Sequence, residues 1–171
     1  MRKEKNTIKV KNQKKENKMD FNQKISELNI NLPKAADPVG SYVAAKISGK
    51  LLFISGQISI DENGQLIKGK VGKDLDTEAG YNAAKRCALS IIAHVKKACD
   101  NDLSKVKSCI KLTGFVNSTD EYTDQPKVVN GASDLIAAVF GNSGMHARAA
   151  VSTNGLPLGV SVEVDAIFEL N

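Results

Sequence analysis

The chain has 171 residues, enough for one domain around a single core, and a formal net charge of +5. Hydrophobic residues make up 42% and charged residues 25%, the balance of a soluble globular protein. No apolar run nears the roughly 20 residues of a membrane span, and no apolar signal segment opens the chain, so a cytoplasmic location is expected.

The basic charge is unevenly spread. Residues 1–18 hold eight basic and two acidic side chains, which leaves 16 basic and 17 acidic for the other 153 residues. A face built for nucleic acid would survive that subtraction, so the composition argues against a nucleic-acid partner for the domain. The Lys/Asn-rich stretch 1–18 is expected to be a disordered tail, with a single domain over 19–171 and Met19 as an alternative start. A polybasic arm and a targeting peptide are the functional alternatives for that tail. Three cysteines (Cys87, Cys99, Cys109) and two histidines lack metal-ligand spacing. Buried thiols in a reducing compartment fit better than disulfides or zinc, and no metal or cofactor is expected.

In chain order, Phe21, Ile25 and Leu28 predict a short amphipathic helix, followed by an extended connector with two prolines. SYVAAKIS (41–48) and LLFISGQI (51–58), separated by Gly49-Lys50, predict a β-hairpin. DENG (61–64) is a turn, and the QLIKGKVG that follows is an edge strand or a loop. Asp76 predicts the N-cap of a helix over about 77–99, whose buried face carries Ala83, Cys87, Ile91 and Val95. Residues 105–117 alternate as a half-buried strand with Val106, Ile110, Leu112 and Val116 inward. A second helix spans Lys127–Phe140.

The stretch from Met145 reads as two strands joined by a Gly-Leu-Pro-Leu-Gly turn. Arg148 opens the first and shares its face with the small Ala150 and Ser152, which suggests a cavity. Glu163 lies in the second, on the face opposite Val162, Val164, Ala166 and Phe168. A structural ion pair between Arg148 and Glu163 is the plainer alternative. The expected architecture is an α+β two-layer sandwich, a largely antiparallel sheet with two helices on one face. The second face, with Cys109, Thr113, Phe115 and Ile167 beside Glu163 and Asp165, is too apolar for solvent and is expected to pack against other subunits.

The ordered set VGSYVAA, LLFISGQI, TGFV and HARAAV…LPLGVSVEVDAIFEL resembles the RidA/YjgF family of reactive-intermediate deaminases, also known as L-PSP endoribonucleases or translation inhibitors. The resemblance runs from about Leu32 to Leu170. It implies a chorismate-mutase-like fold, a trimeric barrel assembly with clefts between subunits, and cofactor-free hydrolysis of enamines and imines such as 2-aminoacrylate/2-iminopropionate to 2-oxo acids and ammonia. Arg148 then matches the arginine that binds the substrate carboxylate, and Glu163 the glutamate that orients or deprotonates water. Tyr42, Ser55 and Asn130 match cleft-lining positions, and Ala150 can act through its backbone carbonyl. His146 and Ala150 depart from the usual proline and cysteine at their positions; His146 is expected to shape the cleft mouth. An RNA-directed endoribonuclease and a non-catalytic binder of small carboxylate metabolites are the alternatives.

Overall fold

The structure, a computed structural model, describes residues 20–37 and 40–171. The tail over 1–18 and the start at Met19 lie outside the described residues.

Five strands form one sheet: β1 (Ala45–Ser48), β2 (Leu51–Ile58), β3 (Val106–Asn117), β4 (Ala147–Thr153) and β5 (Val162–Leu170), in the spatial order β1-β2-β5-β3-β4. Three α-helices accompany it: α1 (Phe21–Glu27), α2 (Thr77–Ala98) and α3 (Gln125–Phe140). The α+β class thus stands, with one correction. The sheet is mixed rather than largely antiparallel, because β3 and β4 pair in parallel. The reason lies in the connection: β3 leads into α3, and a helical return brings the chain back beside its starting strand in the same direction.

This also corrects the expected hairpin at the end of the chain. β4 and β5 are not partners; β3 runs between them. Residues 154–161 do not close a tight turn. They pass the end of β3, where Asn117 Nδ2 donates to Val160 O at 3.2 Å and Ser161 N donates to Ile67 O at 2.9 Å. Leu158 takes a left-handed φ of 58° within that bend. The segment after the 61–64 turn adds no strand to the sheet and is pinned by single bridges such as Lys68 with Val160.

Helix α2 starts where its sequence signal lies. Asp76 accepts a hydrogen bond from Ala79 N at 2.8 Å, and Lys96 and Lys97 occupy the negative end of the dipole. α2 and α3 lie side by side, close enough that a Cβ on Gly131 would collide with the backbone of Tyr81. Their apolar stripes cover one sheet face, where Leu52, Leu112, Val116, Val162, Val164 and Phe168 are fully buried. Helix α1 is tied on by Phe21, whose ring meets Phe140 edge-on at 5.0 Å.

Three strand irregularities set which side chains face where. A bulge between Ile54 and Gln57 of β2 removes Ser55 and Gly56 from the β5 ladder, and two more lie in β3, between Val106 and Ser108 and between Cys109 and Lys111. The β3 pair overturns the strict alternation expected for that strand: Cys109 is buried and Ile110 exposed. Cys87 and Cys109 are free and buried. Burial pushes both thiols up, that of Cys109 to about 12, so neither is a ready nucleophile.

Candidate active site

Strand pairing separates the expected site residues into two groups. Arg148 lies opposite Leu112 and Ala150 opposite Gly114, so both belong to the helix side of β4. There the Arg148 Nη1 donates to Asn130 Oδ1 at 2.8 Å and to Ser133 Oγ at 3.1 Å, both on α3. Ser133 Oγ is also 3.0 Å from His146 Nε2, and His146 Nδ1 is 2.6 Å from Gly144 O. Nε and Nη2 of Arg148 bond to no other described residue. No described carboxylate forms an ion pair with Arg148. An exposed guanidinium at a sheet edge, held by neutral acceptors alone, keeps its positive charge for an incoming anion.

Glu163 is on the other side of the sheet. It lies opposite Ile58 of β2 and Phe115 of β3, with its carboxylate over Gly56 in the β2 bulge. A Cβ at position 56 would collide with Glu163 Oε1, so the missing side chain is what lets the carboxylate sit there. Glu163 is half-buried and makes no hydrogen bond or ion pair with a described residue. Burial pushes its carboxyl above the ordinary value, and the negative charge of Asp165 adds to the shift. The alternative of a structural ion pair between Arg148 and Glu163 within one chain is thereby overturned. β3 lies between the two strands, about 10 Å apart on strand spacing, and the two side chains leave opposite faces.

Ser55 sits in the β2 bulge beside Gly56, on the Glu163 side of the sheet, and Tyr42 lies outside the strands. Ser55 Oγ donates to Ala44 O at 3.2 Å within the bulge, and Tyr42 is exposed just ahead of β1, at the edge opposite β4. The structure therefore brings together Arg148, Asn130 and Ala150, and separately Glu163 and Ser55. Ser133 and Gly56 were missed by the sequence reading. Ser133 follows Asn130 by one helical turn, a spacing that marks one polar stripe on α3. Among the described residues no group of three or more His, Cys, Asp or Glu could hold a metal ion, and no helix is long and apolar enough to cross a membrane.

A mixed five-stranded sheet covered by helices on one face matches the YjgF/chorismate-mutase-like architecture. Residues 22–170 match the family described as "YjgF/chorismate mutase-like, putative endoribonuclease", and the chain belongs to it. It is 45% identical over 148 residues to protein TCP17 of Trypanosoma cruzi, covering 86% of this chain and 92% of that one. It is 30% identical over 139 residues to the 2-iminobutanoate/2-iminopropanoate deaminase of Bos taurus, covering 81% and 86%. Among solved structures, the Agrobacterium tumefaciens protein Atu1372, described as of unknown function, superposes with a TM-score of 0.81 at 44% identity, over 89% of this chain and 94% of that one.

Proposed function

We propose that the protein hydrolyses reactive 2-imino acids of the 2-aminoacrylate/2-iminopropionate type to 2-oxo acids and ammonia, working as a homotrimer. The observation that carries this reading is Arg148, oriented by α3 and paired with no carboxylate among the described residues. The deaminase name of a relative at 30% identity gives the reaction class.

The substrate carboxylate pairs with the Arg148 fork through two parallel hydrogen bonds. Water adds to the C=N carbon, which in the iminium form is electrophilic without a cofactor. Glu163 accepts a proton from that water, and its raised pKa makes it a better matched base than a fully solvated carboxylate. The resulting carbinolamine releases ammonia and leaves the 2-oxo acid. Ser55, Tyr42, Asn130 and the Ala150 carbonyl line the cleft.

One copy cannot bring both charges to a small acid, because Arg148 and Glu163 leave opposite faces of the sheet. The site is completed when the β4 edge of one copy meets the open sheet face of the next. Such a contact joins two different surfaces, so it is heterologous, and a threefold rotation closes it as the proposed trimeric ring. The open face is apolar enough to be covered, with Leu51, Phe53, Val151 and Ile167 on it.

The test couples the purified protein to a serine or threonine dehydratase and follows 2-oxo acid release. The wild type is expected to speed release, and Arg148→Ala to lower that gain about 100-fold or more. Equal rates for the two would sink the assignment.

A further inference from the structure

We infer that Ser133 and His146 are positioning residues that present one chosen edge of the Arg148 guanidinium to the substrate. The inference rests on Arg148 being the carboxylate clamp and adds how the clamp is aimed.

The hydrogen-bond directions follow from the chemistry of the partners. Gly144 O can only accept, so the 2.6 Å contact places a proton on His146 Nδ1. In the neutral ring Nε2 is then bare and accepts, so Ser133 Oγ–H donates to it across 3.0 Å. With its own proton committed, Ser133 Oγ offers only lone pairs to Arg148, and Nη1 donates to it at 3.1 Å. The second Nη1 proton goes to Asn130 Oδ1 at 2.8 Å. Both protons of Nη1 are therefore consumed by the protein. What remains is the Nε–H and the Nη2 protons, and the Nε/Nη2 edge is the one whose two parallel N–H bonds match the oxygens of a carboxylate.

The chain thus selects a side-on grip and blocks the end-on one. Asn130 and Ser133 are one turn apart on a helix whose apolar face is anchored in the core, and the Gly144 carbonyl belongs to the short turn after it. These anchors do not move with the exposed arginine. Without them the long side chain keeps its rotamer freedom until the ligand arrives, and that entropy is then lost on binding.

The experiment is calorimetric binding of 2-oxobutanoate and of its uncharged amide to the full chain. Ser133→Ala and His146→Leu are each expected to weaken the acid about five- to tenfold and leave the amide unchanged. In the coupled assay the same variants are expected to raise KM by a similar factor and hold kcat within about twofold. His146→Gln, whose side-chain oxygen can accept from Ser133, is expected to restore binding. Nitrogen-15 NMR of the wild-type ring is expected to report the Nδ1–H form, and an Nε2–H ring would overturn the relay without any variant. Wild-type affinity in Ser133→Ala and His146→Leu, with binding lost in Arg148→Ala, overturns the relay and spares the clamp. Wild-type affinity in Arg148→Ala defeats the clamp itself.

Discussion

On the helix-covered side of the sheet, Leu112, Val116, Val162, Val164 and Phe168 have no exposed surface, whereas Leu51, Phe53 and Val151 on the other side remain 38–44% exposed. Both sets belong to one sheet and differ in the face they occupy, so the difference lies in what covers them. α2 and α3 seal the first face into one core. The second face mixes apolar side chains with Glu163 and Asp165, and the carboxylate of Glu163 is partly desolvated with no partner cation among the described residues. A buried face serves stability; a half-covered face holding an unpaired acid costs some stability and is kept where chemistry is done.

The contrast can be broken first by truncation. Phe168→Ala is expected to cost about 3–5 kcal/mol in denaturant unfolding, and Phe53→Ala less than about 1 kcal/mol on the dissociated chain. Equal costs would mean that the two faces do not differ in packing. A smaller but more informative change is Glu163→Gln, which is expected to lower kcat about 100-fold with little change in KM, read by the coupled assay.

The same residue gives a pH test whose sign is fixed. Its carboxyl pKa is raised on folding, so the folded chain holds this proton more tightly than the unfolded one. Stability from this group is therefore present at low pH and lost as pH rises through the raised value. Glu163→Gln removes the burden, so the variant is expected to unfold later than the wild type near neutrality, with the gap narrowing as the solution is acidified. The wild-type rate is expected to rise with pH across the same window, since the base must be ionised. A variant less stable than the wild type at neutral pH would contradict the desolvated state of Glu163.

Much of the fold was legible because local chemistry and burial agreed. Asp76 caps its helix at the expected N-cap position, and Val162, Val164, Ala166 and Phe168 all turn inward. The failures were of two physical kinds. A bulge changes strand parity without leaving a composition signal, which is how Cys109 and Ile110 exchanged roles. Strand neighbours are set by crossovers and not by nearness in sequence, so the adjacent β4 and β5 looked like a hairpin although a strand–helix–strand run, β3-α3-β4, was already in view. For the site, Arg148 stood out as a charge among small neighbours, and Glu163 through the family resemblance. Their opposite faces did not, because face assignment across two strands needs the register. Ser133 escaped because α3 was read for its apolar stripe alone.

The central claim, that each site needs Arg148 from one copy and Glu163 from another, is tested most directly by mixing two inactive variants. Arg148→Ala and Glu163→Gln chains would be unfolded, combined in equal amounts and refolded, with mixed assemblies verified by native mass spectrometry. Random mixing in a ring restores about one intact site in four, so about a quarter of wild-type activity is expected to return. Mixed assemblies that form and stay inactive would contradict a site shared between copies.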